Sequence, residues 1–510
     1  MAIDLPNWLN EVIALAPDAD VLQFEGRWRP WSWLTAGTEV LRIRLDNEGF
    51  GDGAMVGVVM RNRPEIVRTI AASLATRRCL VTLSSAIPPE KLASEIRRLR
   101  LPVVVATATD WATGPLRSAV TEAGSLGLVA NDGADANDGD DHDDPFGIIV
   151  ASGDRGGAPT TAVGVAVQML TSGTTGPPKR IDLLYRSLEH EIESTAHYSR
   201  NADMSKPRLS SGTSLIWNPL LHIGGLRGLM TSLVAGRKVA LLERFSVDGW
   251  AAMVGEHRPR VISLVPAAMA MVYDADLPKD LFAGVEVAFS GTAPLDPTLG
   301  RQFEERYGVP VLVVYGATEF AGGVAGWTIG AWKQFGDAKS GSVGRPNAGV
   351  DVRIVDRETG TVLPSGQVGL LEVRAPQLAT EGWTRTTDLA RIDDDRFIWI
   401  IGRADDVIIR GGFKVATGEV RDIIASHPSV SDACVIGLDD TRLGQVPVAA
   451  VELRAGAAIT SADLLAWARD RLSGYQVPVE IKIVDLLPRT PSMKVSQGDV
   501  RLLFGPTRSG

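Results

Sequence analysis

The stretch that decides the fold and the chemistry of this chain is Thr171-Ser172-Gly173-Thr174-Thr175-Gly176-Pro177-Pro178-Lys179. Its glycines let the backbone approach an anion and expose N–H groups to it. Four hydroxyl side chains add neutral donors, and the lysine adds a point charge. A Walker loop reads G-x-x-x-x-G-K-[ST], whereas here two prolines precede the lysine. The stretch predicts a loop that wraps phosphate oxygens in a nucleotide site of another lineage.

Strand-like and helical patterns alternate on both sides of this loop. Met55–Met60 and Cys79–Leu83 are apolar runs typical of buried strands, and Pro64–Arg77 and Pro89–Leu99 have helical spacing. Such alternation implies a parallel sheet covered on both faces. We expect Gly164–Leu170 to be the strand that delivers the phosphate loop, and Arg186–Ser199 to be the following helix.

The pattern changes near Arg403, and the last hundred residues are typical of a small α+β unit. Strands are predicted there at Ala433–Gly437, Val446–Leu453 and Glu480–Val484, and a helix at Ser461–Leu472. The predicted domains are 1–402, a hinge over 403–407, and 408–510. A separate acidic stretch, 131–145, holds seven aspartates without EF-hand spacing, so we expect a solvated, mobile loop and not a calcium site.

Composition limits the class of protein. A chain of 510 residues with 45% apolar and 22% charged residues is globular and needs two or more domains. The net charge of −9 argues against broad binding to nucleic acid or to an anionic membrane surface. Cys79 and Cys434 form no CxxC pair, and neither a signal peptide nor a membrane-spanning run is evident, so we expect reduced thiols and a cytoplasmic protein.

Polar residues follow several predicted strands, at the sheet edge where α/β folds bind ligands. Tyr315-Gly316-Ala317-Thr318-Glu319 offers a carboxylate suited to Mg²⁺, and Ser290–Leu295 is a tight turn of small residues. Asp388 could accept hydrogen bonds from ribose hydroxyls. Taken singly, the other motifs have simpler readings. Asp388 could belong to a helix cap or turn, Gly402–Asp406 to an exposed loop, His222 to the core, and Lys494 to the solvated surface.

The full set, in this order, resembles the adenylate-forming superfamily of acyl- and aryl-CoA synthetases, luciferases and peptide-synthetase adenylation domains, over about residues 20–500. The resemblance implies an α/β fold with a large N-terminal domain of packed β-sheets flanked by helices, plus a small mobile C-terminal domain. It implies that Tyr315 stacks on adenine, Asp388 and Arg403 contact ribose, Asp405 is the hinge, and Lys494 is the catalytic lysine. The implied nucleotide-binding residues are Thr171, Ser172, Gly173, Thr174, Thr175, Gly176, Lys179, Gly291, Thr292, Ala293, Pro294, Tyr315, Gly316, Ala317, Thr318, Glu319, Asp388, Arg403 and Lys494.

The resemblance also implies the reaction. A carboxylate attacks the α-phosphorus of ATP, pyrophosphate leaves, and a thiol then takes the acyl group and releases AMP. Glu319 would hold Mg²⁺, and Gly411 and Gly412 would flank the pantetheine tunnel of CoA. Lys494, Glu319, Thr174 and His222 are the predicted catalytic set, in which His222 gates or shapes the pocket and is not a general base.

The predicted acyl pocket is apolar, which favours an apolar or aromatic acid over an amino acid, because an uncompensated ammonium would be costly there. Its predicted lining is His222, Ile223, Gly224, Val314, Gly316, Phe320, Ala321 and Gly323. In four places the chain departs from the family pattern: Arg180-Ile181 follow the loop lysine, Thr387 replaces a glycine, Thr417 replaces a proline, and Met493 replaces the glycine before Lys494.

Three alternatives stay open from the sequence. The thiol could belong to a carrier protein's phosphopantetheine, or the activated oxyanion could be another one, such as nitrite in diazo formation. From another class, the chain could be a catalytically silent nucleotide-binding module. The sequence predicts ATP, Mg²⁺ and CoA (or the carrier-protein arm) as cofactors and a monomer or homodimer.

Overall fold

The computed structural model describes residues 3–133, 144–157, 160–171, 179–196, 205–378, 380, 382–404, 406–411, 413–490 and 493–505. The chain in these ranges forms five sheets with flanking helices. No helix among these residues is long and apolar enough to cross a membrane.

A seven-stranded sheet dominates the first part of the chain. The elements are α1 (Leu5–Ala14), β1 (Asp20–Phe24), β2 (Arg27–Pro30), α2 (Trp31–Asn47), β3 (Met55–Met60), α3 (Pro64–Ala75), β4 (Cys79–Ser84), α4 (Pro89–Leu99), β5 (Val103–Thr107), α5 (Ala108–Trp111), α6 (Gly114–Glu122), β6 (Leu126–Ala130), β7 (Phe146–Val150), β8 (Val165–Thr171), β9 (Lys179–Leu184) and α7 (Tyr185–Ala196). The strand order is β7-β6-β5-β3-β4-β8-β9, with parallel pairing from β6 to β8 and antiparallel strands at both edges.

Alternate residues of this sheet feed two hydrophobic cores. Val56 and Val58 of β3 pack with α1, α2 and α3, while Val59 packs on the opposite face with α4 and α6. Side chains on a strand point to alternate faces, so two covered faces require continuous apolar runs. The strands and helices predicted between Met55 and Leu99, and the strand predicted over Gly164–Leu170, are confirmed within two residues of their ends.

The middle of the chain adds two further sheets. The elements are β10 (Thr213–Ile216), α8 (Ile223–Val234), β11 (Lys238–Leu241), α9 (Val247–His257), β12 (Val261–Ser263), α10 (Pro266–Asp274), β13 (Val287–Ser290), α11 (Pro297–Tyr307), β14 (Val311–Ala317), β15 (Gly322–Gly326), α12 (Ile329–Phe335) and β16 (Arg345–Pro346). The sheet orders are β10-β11-β1-β2 and β12-β13-β14-β15-β16.

The rest of the chain forms an antiparallel sheet and then the small α+β unit. The elements are β17 (Asp351–Val355), β18 (Gly369–Arg374), β19 (Thr384–Ile392), β20 (Ile398–Arg403), β21 (Val407–Arg410), β22 (Phe413–Ala416), α13 (Thr417–Ala425), β23 (Val430–Asp440), β24 (Gly444–Leu453), α14 (Ser461–Arg469), β25 (Glu480–Val484) and α15 (Gln497–Phe504). The four strands β17 to β20 pair in chain order, and β25 joins β24 in parallel.

Two expectations need comment. The following helix predicted over Arg186–Ser199 is confirmed as α7, which begins at Tyr185 and is described to Ala196, but strand β9, which was not predicted, lies between β8 and this helix. In the acidic stretch, residues 134–143 lie outside the described residues, but its two ends are paired with arginines. Arg29 pairs with Asp132, and Arg44 Nη2 lies 2.6 Å from Asp144 Oδ2. Cys79 and Cys434 are both free and buried, as expected.

Candidate active site

The predicted phosphate loop is the segment that connects the antiparallel strands β8 and β9. Thr171 and Lys179 are direct partners across this antiparallel pair, so the ends of the loop are held side by side. The loop residues between them, predicted as Ser172, Gly173, Thr174, Thr175 and Gly176 of the nucleotide site, lie outside the described residues. Strand β9 of this antiparallel pair was not predicted, because it begins with the polar stretch Lys179-Arg180-Ile181-Asp182 and does not stand out as an apolar run.

The predicted adenine-side turn follows β13 directly. A Cβ on Gly291 would lie 2.8 Å from the Val314 carbonyl oxygen, so this turn packs against β14 as only glycine can. Thr292 has φ 69°, a left-handed conformation that is uncommon for residues with a side chain. Ala293 and Pro294 complete the turn before α11. The turn therefore lies beside the strand that carries Tyr315.

Three residues predicted for the nucleoside meet at one place. The Tyr315 hydroxyl donates a hydrogen bond to the Asp388 carboxylate, and Asp388 faces Arg403 in the register of β19 with β20. Burial, and then the Asp388 charge, raise the pKa of Tyr315 well above its ordinary value. A neutral phenol donor is thereby retained at neutral pH, beside an ionisable carboxyl and a guanidinium.

Glu319 lies on a single 3₁₀ turn, Thr318–Phe320, directly after β14. Its side chain is exposed to solvent, and Ala321 ends the turn with φ 56°. Before the turn, a Cβ on Gly316 would lie 2.1 Å from the Gly322 carbonyl oxygen, so β14 and β15 approach each other more closely than a side chain permits. The motif thus turns a carboxylate toward solvent beside the Tyr315 cluster.

Lys494 of the C-terminal unit approaches Glu319 and Arg403. It keeps contact with solvent, yet surrounding protein and, secondarily, the positive charge of Arg403 lower its pKa, while Glu319 acts in the opposite direction. The ammonium group therefore lies within electrostatic range of both residues. The structure brings together Lys494, Glu319 and Arg403, which are far apart in the sequence.

His222 occupies the N-cap position of α8. Its Nε2 atom is buried and has no hydrogen-bond partner among the described residues. Burial, and then the charge of Lys494, lower the pKa of His222 to about 4, so the imidazole is neutral at pH 7. A neutral ring at the start of α8 can line a pocket without bringing charge into it.

The segment before His222 is held by a residue that the sequence did not indicate. The buried Asn62 side chain donates to the carbonyls of Trp217, Asn218 and Leu242 at 3.1–3.2 Å and accepts from the Leu220 N–H at 2.9 Å. Three of these four hydrogen bonds thus fix the segment that leads to His222, and the fourth ties it to the end of β11. A lone asparagine after a strand carries no sequence signal for such a role.

The residues predicted to line the acyl pocket lie around α8, β14 and β15, at different depths. Phe320 and Ala321 are 3% and 1% exposed and pack into two different cores, and Gly323 is buried beneath Val314. Ile223 packs on the first core. Gly224 is nearer the nucleotide side, since a Cβ there would lie 3.8 Å from the Thr292 methyl group. A direct contact of Phe320 and Ala321 with substrate stays a prediction.

A charged pair beside this region was also missed. Arg227 Nη1 on α8 lies 3.0 Å from Glu191 Oε1 on α7, and Glu191 is fully buried, which raises its pKa. A Cβ on Gly322 would lie 2.9 Å from the same carboxylate. The only sequence signal was the interruption of an apolar stretch by Arg227.

Of the residues assigned to the second half-reaction, Gly411 is described, whereas Gly412 and the predicted hinge residue Asp405 lie outside the described residues. Gly411 has φ 57° and donates its N–H to the Leu443 carbonyl at 2.7 Å. It lies at an exposed turn between β21 and β22, which is compatible with close passage of a chain. Its role stays a prediction.

Comparison with known proteins agrees with this arrangement. The AMP-binding enzyme family matches residues 9–382, and the AMP-binding enzyme C-terminal domain matches residues 419–494. Sulfoacetate–CoA ligase of Cupriavidus necator is 28% identical and covers 98% of this chain and 96% of its own length. 2-Succinylbenzoate–CoA ligase of Bacillus velezensis is 27% identical over 97% of both.

Solved structures share the fold. ATP-bound MatB from Rhodopseudomonas palustris superposes with a TM-score of 0.82, at 23% identity over 99% of each chain. The family models cover most of the sequence, and the homologues are named as CoA ligases. The chain therefore belongs to the AMP-binding enzymes of the adenylate-forming superfamily and is an AMP-forming acid–thiol ligase of the acyl-CoA synthetase type.

Proposed function

We propose that this enzyme uses ATP to convert an apolar or aromatic carboxylic acid to an acyl-adenylate with release of pyrophosphate, and then transfers the acyl group to the thiol of CoA. The observation that carries the proposal is the convergence of Lys494 with Glu319 and Arg403. A cation from the C-terminal unit thus lies within electrostatic range of a carboxylate from the N-terminal sheet. That pairing suits a reaction in which anionic groups must approach each other.

The first half-reaction follows from the charges. Asp388 and Tyr315 would orient the nucleoside, with Arg403 alongside. Lys494 would lie against the α-phosphate and the attacking carboxylate and offset their mutual repulsion. Mg²⁺ held by Glu319 would neutralise charge on the phosphate oxygens. The exposed position of Glu319 suits such a ligand, since a carboxylate already paired in the core would have to be released first.

The acid would enter beside α8. The neutral imidazole of His222 adds no charge where the acid would enter, and the glycine at position 224 adds no side chain there. The absence of a charge on His222 supports its role in shaping the pocket, and a group with so low a pKa would be a weak base at pH 7.

A second candidate for the acid is one with an additional anionic group. Arg227 engages Glu191 through Nη1, and the guanidinium has further donors in its fork. Relatives named for sulfoacetate and 2-succinylbenzoate act on acids of that kind. If such an acid is the substrate, Arg227→Met should raise its KM by roughly tenfold or more, while leaving KM for ATP unchanged.

The test is a pyrophosphate-release screen with Mg-ATP. The panel contains aliphatic, aryl, amino, dicarboxylic and sulfonated acids, and nitrite, each with and without CoA. We expect pyrophosphate release with one class of acid and acyl-CoA when CoA is present. If turnover requires a phosphopantetheinylated carrier protein, that protein and not CoA would be the acceptor of the acyl group. If no member of the panel gives pyrophosphate release, the proposed function is overturned.

Matched lysine variants give the control. Lys494→Ala should abolish adenylate formation, because a loss of about 10²–10³ in rate is usual when one such contact is removed. The variant should retain thioester formation from a supplied acyl-adenylate. Lys91→Ala changes an exposed lysine on α4 and should behave as wild type. Equal loss of both half-reactions in Lys494→Ala would contradict the role given to Lys494.

A further inference from the structure

The residue before Lys494 has an unusual backbone. Met493 has φ 62°, in the left-handed region that residues with a Cβ seldom adopt. The family pattern has glycine at this position, which would adopt the conformation without strain. Methionine therefore occupies a position whose backbone conformation is unfavourable for a residue with a side chain. The contacts of the Met493 side chain indicate its role.

The loop is fixed within the C-terminal unit by backbone hydrogen bonds. The Met493 N–H donates to the Thr490 carbonyl and the Thr490 N–H donates to the Lys494 carbonyl, both at 2.8 Å. Arg489 donates to the Met493 carbonyl at 3.3 Å and lies 2.7 Å from the Asp432 carboxylate of β23. These hydrogen bonds fix the backbone at Met493 and so set the direction of its side chain.

That side chain leaves its own unit. Met493 packs against the core around Trp217, Trp250 and Phe303, and every other described residue of that core and its margin lies between Leu215 and Val311. Met493 is half-buried there. A flexible thioether side chain fills irregular apolar surface well, so it suits a contact between units that separate and rejoin.

Other contacts between the two units include Arg454 Nη1 with Asp274 Oδ1 at 4.0 Å, but both side chains are about half-exposed, so this pair adds little. The apolar contact of Met493 is adjacent in sequence to Lys494. One side chain is anchored in the core while its neighbour reaches Glu319 and Arg403.

We propose that Met493 is a positioning residue that anchors the Lys494 loop on the N-terminal core and so favours the arrangement in which adenylate forms. The inference deepens the proposed function and rests on it. For Lys494 to withdraw, Met493 must leave its apolar contact, so the same side chain that supports the first half-reaction opposes the change to the second.

The test compares Met493→Gly with Met493→Leu. Glycine relieves the backbone conformation and removes the anchor, whereas leucine keeps apolar bulk. We expect Met493→Gly to slow adenylate formation, followed by ATP–pyrophosphate exchange, by about tenfold, as loss of half-buried apolar area implies. Thioester formation from supplied acyl-adenylate and CoA should be unchanged or faster, and Met493→Leu should stay within about threefold of wild type.

A second measurement does not depend on turnover. Spin labels on Leu502→Cys and Val163→Cys, at positions 78% and 81% exposed, report the distance between the two units, because the native cysteines are buried. With Mg-ATP, wild type and Met493→Leu should give one main distance, and Met493→Gly should add a second population. Arg454→Ala should leave the distribution close to that of wild type.

The outcomes separate the two proposals. An unchanged distance distribution in Met493→Gly overturns the anchor, as does equal slowing of both half-reactions or a leucine variant that behaves like the glycine variant. If wild type shows no pyrophosphate exchange with any acid, the proposed function is overturned instead. The distance measurement then still tests whether Met493 anchors the Lys494 loop.

Discussion

The buried imidazole of His222 makes the protein's stability depend on pH in a way that can be measured at one residue. Burial, and secondarily Lys494, lower the pKa of His222 from its ordinary value of 6.5 to about 4. In the unfolded chain the imidazole takes up a proton near pH 6.5, whereas in the folded protein it does so only near pH 4. Stability is therefore full above pH 6.5 and is lost as the pH falls toward 4.

The magnitude follows from the pKa difference. Each unit corresponds to about 1.4 kcal/mol, and at pH 4 the folded imidazole is already half protonated, so His222 should cost about 3 kcal/mol between pH 7 and pH 4. His222→Leu keeps much of the volume and binds no proton. The variant should lose correspondingly less stability over this range.

A chain of several units does not unfold in one step, so the direct assay is NMR titration of the imidazole ring. The His222 signal is assigned by its absence in His222→Leu, and its midpoint should lie near pH 4. Lys494→Ala should raise that midpoint, because a neighbouring positive charge is removed, but leave it below 6.5, because burial is the larger cause. A wild-type midpoint at or above 6, or no response to Lys494→Ala, would refute the reasoning.

Four other perturbations test the rest of the site. Glu319→Gln should raise the Mg²⁺ concentration for half-maximal adenylate formation by at least about tenfold without lowering Tm, and an unchanged Mg²⁺ dependence would count against it. Because the pKa of Lys494 is lowered, the rate of adenylate formation should decline at a lower alkaline pH than it would with an ordinary lysine. In Lys494→Arg, if the variant retains activity, this alkaline decline should shift to higher pH. Tyr315→Phe removes a hydrogen bond to a carboxylate worth about 1.5–3 kcal/mol and should lower Tm and raise KM for ATP; wild-type values would exclude the role given to that bond. Gly316→Ala should cost about 1–3 kcal/mol in unfolding free energy, because its Cβ would lie 2.1 Å from a backbone oxygen, whereas Gly330→Ala, with its nearest neighbour at 4.0 Å, should be neutral.

The parts of the fold that could be predicted are those in which local pattern and burial agree. β3 and β4 lie inside a sheet covered on both faces, so most of their positions are apolar and the run is visible in the sequence. β9 lies at the sheet edge, where charged and apolar residues mix, and it was missed. β19 begins Thr384-Arg385-Thr386-Thr387-Asp388, and its strand character depends on its neighbours β18 and β20.

Some residues of the candidate site could likewise be found from the sequence, and others could not. Binding of phosphate or a nucleoside needs particular side chains at fixed spacing, so Tyr315, Glu319 and Asp388 could be selected from the sequence as candidates, and the structure places them near one another. Asn62 could not, because its role consists of hydrogen bonds to backbone groups distant in the chain. The Glu191–Arg227 pair likewise exists only once α7 and α8 are packed.

Met493 shows why a departure from a family pattern carries information that the pattern itself lacks. From the sequence, a methionine in place of glycine indicates only a strained turn. The structure shows what compensates for the strain: Arg489 holds the turn by a hydrogen bond, and the half-buried side chain packs against a core more than 180 residues away in the sequence. A strained residue persists where its surroundings over-determine it. Here those surroundings belong to two units that, by the proposed mechanism, must separate in each catalytic cycle, so the strain at Met493 is compensated in only one of the two arrangements. That asymmetry is a physical reason to expect the rate of adenylate formation, and not thioester formation, to respond to this side chain.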